Sequence, residues 1–258
     1  MPEMIASIAP DLKTLLIIMG VLMTASFIQG AVGFAFGLFA LPMLAFIGVS
    51  PMIMVALLST TGSIQLMTSL SKVRSHINFR EVTKPIIIRA ISIPLGVYLL
   101  HLSQNLGKED IQQAVGVLIL VIIAIQLVFS AQPRDSIHPH WGTLAFSLSG
   151  ITQGMASLGG PTLVLWVIAH NWSNQRIRAY LFAAMLGSSP FQFAFLFYAF
   201  GTSIMPAIVL GLIAAPAVIA GAWLGVKAGH GLSASRLRSI AMVILSIIAV
   251  ISIAKPYL

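Results

Sequence analysis

The amino-acid sequence predicts an all-α fold: a polytopic bundle of transmembrane helices built from two inverted repeats, with helices broken at glycine-rich segments near the membrane midplane. Two features of the composition predict the membrane class, since 58% of the residues are hydrophobic and only 8% are charged. A soluble domain carries roughly 25% charged residues, so most of this surface must face lipid. The third observation is that two glycine clusters, in residues 29–37 and 153–161, interrupt the apolar sequence.

The apolar runs predict the individual helices. A transmembrane helix needs about 20 apolar residues, whereas runs of about 10–14 are typical of re-entrant or broken helices. In chain order, the runs are Leu15–Gln29, Leu38–Val49, Met52–Leu70, Pro85–Leu100, Ile111–Phe129, Trp141–Met155, Thr162–Ala169, Tyr180–Phe200, Met205–Val226 and Ser239–Ile253. Four runs are short and flank the glycine clusters in pairs. Whether each pair crosses twice or forms a re-entrant hairpin, each half makes an odd number of crossings, so the second half is predicted to be inverted.

Weak internal similarity supports a duplication. Three matches keep nearly the same separation: Gln29-Gly30 with Gln153-Gly154 (124 residues), Gly62-Ser63 with Gly187-Ser188 (125 residues) and Gly96 with Gly221 (125 residues). We therefore predict a first membrane repeat over residues 1–130 and a second over residues 131–258, joined in a single integrated transmembrane domain.

The distribution of lysine and arginine predicts the orientation, because cytoplasmic loops are enriched in these residues. With the N-terminus outside, ten of them fall in cytoplasmic loops: Lys72, Arg74, Arg80, Lys84, Arg134, Arg176, Arg178, Lys227, Arg236 and Arg238. Lys13, Lys108 and Lys255 fall outside. We expect a multi-pass protein of the plasma membrane with both termini outside. The loop positions also account for the net charge of +8 without a nucleic-acid partner.

The polar residues exclude several kinds of chemistry. The chain has no cysteine, so it has neither a disulfide nor a thiolate metal site. All six acidic residues lie in predicted loops or termini: Glu3, Asp11, Glu81, Glu109, Asp110 and Asp135. The histidines lie at loops or span ends, so a membrane-embedded serine would lack a catalytic base. We expect no cofactor, no metal site and no enzymatic activity.

The two glycine clusters are the candidate substrate site. Glycine lets the backbone leave helical geometry, and non-helical backbone at membrane depth survives only where it is buried in protein or lines a wet cavity. A helix that restarts after such a break directs free N–H groups and its positive dipole end at an anion. The candidate residues are Gln29, Gly30, Gly33, Gly37, Gln153, Gly154, Ser157, Gly159 and Gly160. The alternative is that these glycines allow close helix packing.

Polar side chains in the spans after the breaks extend this candidate site. They are Ser59, Thr60, Ser63, Ser188 and Ser189, with Thr61, Gln65 and Gln192 nearby. Their hydroxyl groups either donate hydrogen bonds to an oxyanion or bond back to helix carbonyls.

Arg89 is an ionisable residue within an apolar run. It lies only about 7.5 Å beyond Lys84 along a helix, so we expect its long side chain to snorkel to the membrane interface. The alternative is that Arg89 attracts an anion at the inner mouth of the protein, and we include it among the candidate substrate-binding residues.

At the two breaks the sequence resembles the TauE/SafE family of membrane permeases, also called the sulfite or organosulfonate exporter family. The resemblance rests on Gly30-x-x-Gly33-x-x-x-Gly37 followed by Pro42, and on the matching segment from Gly154 to Pro161. It extends over nearly the whole chain in length and span order. It implies a duplicated membrane protein that moves sulfite, sulfonates or related oxyanions. The family often has a denser glycine string where this chain has residues 34–36.

We therefore expect a transporter that exports small oxyanions such as sulfite or organosulfonates, with the substrate bound between the two breaks. One alternative is a channel or permease for a small neutral solute, in which Arg89 has no role. Another is a non-transporting membrane subunit or enzyme, which would need a partner domain or a catalytic dyad. The expected partners are the oxyanion and the lipid bilayer, and a homo-oligomer is an open possibility.

Overall fold

The computed structural model describes residues 11–128 and 138–229, together with six isolated positions: Ile8, Val243, Ser246, Ile247, Val250 and Ile251. Within these residues the fold is helical and contains no β-strand. The helices are α1 (Leu12–Val32), α2 (Phe36–Ile47), α3 (Pro51–Val73), α4 (Phe79–Leu102), α5 (Lys108–Val128), α6 (Pro139–Ala156), α7 (Gly160–Ile168), α8 (Asn174–Phe200), α9 (Met205–Ile213) and α10 (Ala215–Gly229). The repeat boundary predicted at 130/131 and most of the predicted span Ser239–Ile253 lie outside the described residues.

Among the described residues, four segments are long and apolar enough to cross a membrane: Leu12–Val32, Pro51–His76, Phe79–Asn105 and Asn174–Ile213. They confirm the predicted all-α membrane class. Helix α4 begins at Phe79, earlier than the apolar run predicted from Pro85, because Asn78 caps it. The Asn78 side-chain oxygen accepts a hydrogen bond from the Arg80 N–H at 3.2 Å, which satisfies one of the unpaired donors of the first turn.

One predicted span is divided in two. The apolar run Met205–Val226 forms α9 and α10, which meet at Ala214. Pro216 explains the division, because proline has no N–H to donate to the Leu212 carbonyl and its ring crowds that carbonyl. A continuous apolar run therefore does not give a continuous helix here.

Helix α4 has one face towards lipid and one towards the bundle. Its exposed large side chains recur about one turn apart: Ile87, Ile91, Leu95 and Tyr98. The buried side chains of the other face are Arg89, Ile93, Val97 and Leu100. A contiguous exposed apolar face of this kind marks a membrane contact, and it leaves the polar Arg89 inside the bundle.

Glycine contacts join α1 to α10, and so join the two halves of the chain. Gly221 and Gly225 of α10 approach the α1 backbone near Met23 and Phe27, and Gly30 of α1 approaches α10. A Cβ on Gly30 would lie 2.7 Å from the Ala222 carbonyl oxygen. Small residues at this spacing let helix backbones approach closely, so Gly30 is a packing residue.

The same type of contact joins α4 to α6. Gly150 and Gly154 of α6 face α4, and Gly96 of α4 faces α6 near Ile151. A Cβ on Gly154 would lie 2.9 Å from the Val97 backbone nitrogen. Gly154 is therefore also a packing residue, and for these two glycines the structure supports the packing alternative.

The helical path is interrupted between α1 and α2 and again between α6 and α7. At the first interruption Gly33 has φ +95° and Ala35 has φ +91°, and at the second Ser157 has φ +55°. The left-handed conformation is costly for Ala35 and Ser157, which carry a Cβ, and such residues concentrate at functional sites. We call each pair of helices with its turn, α1–α2 and α6–α7, a hairpin and the turn its tip. The two tips meet, since a Cβ on Gly37 would lie 2.7 Å from the Ser157 carbonyl oxygen.

Candidate functional site

The two hairpin tips meet α3 and α8 around a small buried cavity of about 30 Å³. Eight candidate residues line it: Gln29, Gly37, Ser59, Ser63, Gln153, Ser157, Gly160 and Ser189. The other candidate residues do not: Gly30, Gly33, Thr60, Arg89, Gly154, Gly159 and Ser188. No acidic residue is among the described residues that line the cavity. The volume holds about two water molecules.

In the first hairpin, Gln29 of α1 caps the N-terminus of α2. The Phe36 N–H donates to Gln29 Oε1 at 3.0 Å. Because a backbone N–H can only donate, this contact orients the amide and turns its Nε2 towards α3. There Gln29 Nε2 donates to Gln65 Oε1 at 2.6 Å, and Gln65 Nε2 donates to Ser69 Oγ at 2.9 Å. A buried amide network therefore closes this tip.

The second hairpin has the same construction. The Gly159 N–H donates to Gln153 Oε1 at 3.1 Å, and Gln153 Nε2 donates to Gln192 Oε1 of α8 at 2.5 Å. Gln192 Nε2 then donates to the Gln153 carbonyl at 2.9 Å and to Ser157 Oγ at 3.2 Å. Both tips therefore place a glutamine amide oxygen at the start of α2 or α7, where N–H groups lack partners within the helix.

The hydroxyl groups around the cavity bond mainly to helix carbonyls. Ser59, Thr60 and Ser63 each donate to the carbonyl four residues earlier, at 2.6–2.9 Å. Ser188 and Ser189 bond back to α8 in the same way. A hydroxyl has one proton, so Ser59, Ser63 and Ser189, which line the cavity, offer it only lone pairs. The donors for an anion are then backbone N–H groups and glutamine amides.

Arg89 is fully buried, so the predicted snorkelling is wrong. Its Nε donates to Ser188 Oγ at 3.0 Å, and its Nη1 contacts Ser149 Oγ and donates to the Gly159 carbonyl at 3.4 Å. Its Nη2 has no hydrogen-bond partner within the described residues. Since α4 starts at Phe79, Arg89 lies about 15 Å along that helix, deeper than the distance from Lys84 suggested.

Gly159 makes room for this arginine. A Cβ on Gly159 would lie 2.9 Å from both Nη1 and Nη2 of Arg89. The guanidinium therefore lies against the backbone at the start of α7, beside Gly160, which lines the cavity. A cation that has no carboxylate partner among the described residues is therefore buried at the positive end of a helix.

Sequence reasoning missed Arg178, which was assigned to a cytoplasmic loop. Its Nη2 contacts the Ala31 carbonyl oxygen near the end of α1. Gly33 is next to it, since a Cβ there would lie 3.4 Å from Arg178 Cγ. A cation is favourable at a helix C-terminus, so Arg178 supports the first hairpin from α8. Arg178 follows Arg176 by two residues, and nothing in the sequence around it predicted this contact.

A second cavity, of about 290 Å³, lies near Lys84 and is lined mainly by aromatic rings. Its other lining residues are Glu81, Pro85, Gly142, Phe146, Trp166, His170, Trp172 and Tyr180. At its edge, Arg176 pairs with Glu81 at 2.7 Å and stacks over Trp172 at 4.4 Å. Trp166, Trp172 and Tyr180 thus pack around this cavity.

A helical membrane bundle in which two hairpin tips face each other across a buried polar cavity has the architecture of a membrane transport protein. A family model described as sulfite exporter TauE/SafE matches residues 16–251. The match spans most of the chain, which therefore belongs to the TauE/SafE sulfite exporter family. No curated protein and no solved structure matches the chain.

Proposed function

We propose that the protein transports small oxyanions, such as sulfite or organosulfonates, which bind between the two hairpin tips. The buried Arg89 carries this proposal, because its Nη2 has no partner within the described residues and lies against Gly159, the residue just before α7. A buried charge without a counter-ion is unfavourable in a membrane. An anion at the start of α7 would neutralise it, and no carboxylate of the described lining residues does so.

The helix ends add to this preference for anions. Helix N-termini carry a partial positive charge and free N–H groups, and they bind oxyanions in many proteins. Both α2 and α7 begin at the cavity, at Phe36 and Gly160. A neutral solute would gain little from either dipole, so this arrangement favours an anion over a neutral substrate.

We further propose that the two hairpins belong to inverted repeats that move relative to each other. The matching glutamine networks and the two glycine-packed helix pairs support an internal duplication. The cavity of about 30 Å³ is small and lies between the two tips, so we propose that the tips separate to admit and release the substrate. One protomer supplies all the residues of this site, including in a homo-oligomer.

Export is the direction that the energetics favour. A membrane potential of about 100 mV is worth roughly 2.3 kcal/mol per charge, and about twice that for a dianion. In a plasma membrane that is negative inside, this drives an anion outward without a coupling ion. The described residues that line the site include no carboxylate that uptake coupled to protons or sodium would use. We therefore propose a facilitator.

The test is anion efflux from proteoliposomes that contain the purified protein. We expect release of sulfite or methanesulfonate to accelerate when the loaded side is made negative. Arg89→Met should strongly reduce this release, whereas Arg176→Gln, outside the cavity, should not. Release that requires a proton or sodium gradient would overturn the facilitator. Transport of a neutral solute with no anion flux, by protein shown to be folded, would overturn the choice of substrate.

A further inference from the structure

The amide oxygens of Gln29 and Gln153 lie at the two places where backbone donors meet the cavity. Gln29 Oε1 accepts from the Phe36 N–H at 3.0 Å and Gln153 Oε1 from the Gly159 N–H at 3.1 Å. Both side chains are buried and both line the cavity. A substrate that uses these donors therefore has to displace the amide oxygens from them.

We propose that Gln29 and Gln153 are competitive gates: each amide oxygen competes with an oxygen of the transported anion for one N–H at the start of α2 or α7. This inference rests on the proposed function and assigns these two glutamines a role in affinity. The anion replaces a neutral acceptor by a charged one, which makes the stronger hydrogen bond.

The partners of the glutamines make this exchange possible. Gln65 and Gln192 lie on α3 and α8, which are separate from the hairpins. When a hairpin glutamine turns, it also releases its bond to α3 or α8. Binding of the anion and release of the tip from its neighbouring helix are therefore coupled, which links substrate recognition to the movement of the tips.

Arg89 provides independent support at the second gate. A cation against Gly159 favours an anion over a neutral amide as the acceptor at this N–H, because only the anion neutralises it. Its Nη2 is buried and has no partner among the described residues. The Gly159 N–H donates to Gln153 Oε1, and a Cβ on Gly159 would contact both that oxygen and the Arg89 guanidinium, so the guanidinium lies close to the oxygen that the anion would replace.

The sharpest test uses Gln29→Glu, which attaches a carboxylate where the anion would bind. Gln65 can accommodate this change by turning its amide, because its other partner is the Ser69 hydroxyl, which can donate or accept. The probe is methanesulfonate, which stays a monoanion as the pH changes. Its binding is measured as the rise in thermal midpoint of the purified, detergent-solubilised protein, and transport as proteoliposome efflux.

We expect Gln29→Glu to fold, to lose the methanesulfonate-induced rise in midpoint, and to transport roughly 10- to 100-fold more slowly, as expected for the loss of a charge-assisted hydrogen bond. Loss of binding should increase as the pH rises, because only the ionised carboxylate excludes the anion. Gln29→Met, which leaves the Phe36 N–H free, should bind methanesulfonate more tightly than wild type. Gln175→Glu adds the same charge at an exposed position of α8 and should leave binding unchanged.

Two results distinguish failure of the proposed function from failure of the competitive gate. If wild type shows neither a methanesulfonate-induced rise in midpoint nor anion efflux, the proposed function is wrong. If wild type shows both, and Gln29→Glu retains the wild-type response across the pH range, the glutamine is only a structural cap and the competitive gate is overturned. Weaker binding by Gln29→Met than by wild type would also overturn it, because that result makes the amide a required ligand.

Discussion

The Oγ atoms of Ser59 and Ser157 lie 3.0 Å apart, although 98 residues separate them in the chain. Ser59 belongs to α3 and Ser157 forms the left-handed turn of the α6–α7 hairpin. This contact joins the two halves of the chain beside the cavity. It also gives a direct way to test whether the second tip moves away from α3 during transport.

A disulfide at this contact should stop transport. The chain has no cysteine of its own, so Ser59→Cys with Ser157→Cys introduces one defined pair. The short Oγ–Oγ distance is compatible with a disulfide of about 2.05 Å after a small adjustment. We expect oxidation to reduce anion efflux to background and a reductant to restore it, with both single variants insensitive to oxidant. Wild-type efflux from fully cross-linked protein would show that this tip stays in place.

Two glycine-to-alanine substitutions should separate packing from the site. Gly154→Ala introduces a Cβ that collides with the α4 backbone, and overpacking of this kind costs about 1–3 kcal/mol. At Gly62, which lines the cavity, the nearest atoms are 3.7 Å away. Gly62→Ala should therefore keep or raise stability by up to about 1 kcal/mol and still slow transport.

The two readouts for this pair are the thermal midpoint in detergent and efflux per folded protein. Gly154→Ala should lower the midpoint, and Gly62→Ala should lower only efflux. A Gly62→Ala protein with unchanged efflux would place the substrate away from this cavity. A Gly154→Ala protein with unchanged stability would contradict the tight contact between α4 and α6.

Removing the buried charge should affect transport more than stability. Arg89→Met retains much of the side-chain volume and removes a buried cation whose Nη2 has no partner in the described part of the chain. Replacement of buried charges by apolar side chains is often neutral or stabilising. We expect a folded protein with anion efflux reduced at least about tenfold, and Arg89→Lys also impaired because an ammonium cannot reproduce the planar set of donors. Wild-type efflux by Arg89→Met would remove Arg89 from the mechanism.

Arg178 should stabilise the first hairpin, whereas the nearby Arg176 should contribute little. Arg178→Gln loses the contact with the Ala31 carbonyl, and we expect a cost of about 1.5–3 kcal/mol, the range for a hydrogen bond to a charged group. Arg176→Gln breaks a partly exposed ion pair with Glu81, worth about 0–1 kcal/mol. Urea or thermal unfolding of both variants measures the difference. Equal effects would show that the Ala31 contact does not support the hairpin.

Sequence reasoning predicted the membrane class and the position of both hairpin tips. Hydropathy is a property of a run of residues, and the glycine clusters act on the local backbone, so both signals can be read along the chain. Gln29 and Gln153 were identified for the same reason, as the polar residues next to the breaks. Their partners Gln65 and Gln192 were noted only as members of a polar group.

The roles of individual glycines needed the tertiary structure. Gly30 and Gly154 resemble the other glycines of their clusters in sequence, yet they face α10 and α4. Gly37 and Gly160 face the cavity. The difference depends on which side of a helix meets a neighbour from the other half, and no local pattern encodes that choice.

Arg89 shows most clearly what the sequence determined and what the tertiary structure decided. Its sequence neighbours, with Lys84 near the expected membrane interface, favour a side chain that reaches water. The sequence by itself determined that a cation enters an apolar helix, because composition and hydropathy depend only on the residues present. Only the tertiary structure decided that this cation is buried against Ser149, Ser188 and Gly159, because burial depends on which helices pack around α4 and on where α4 begins.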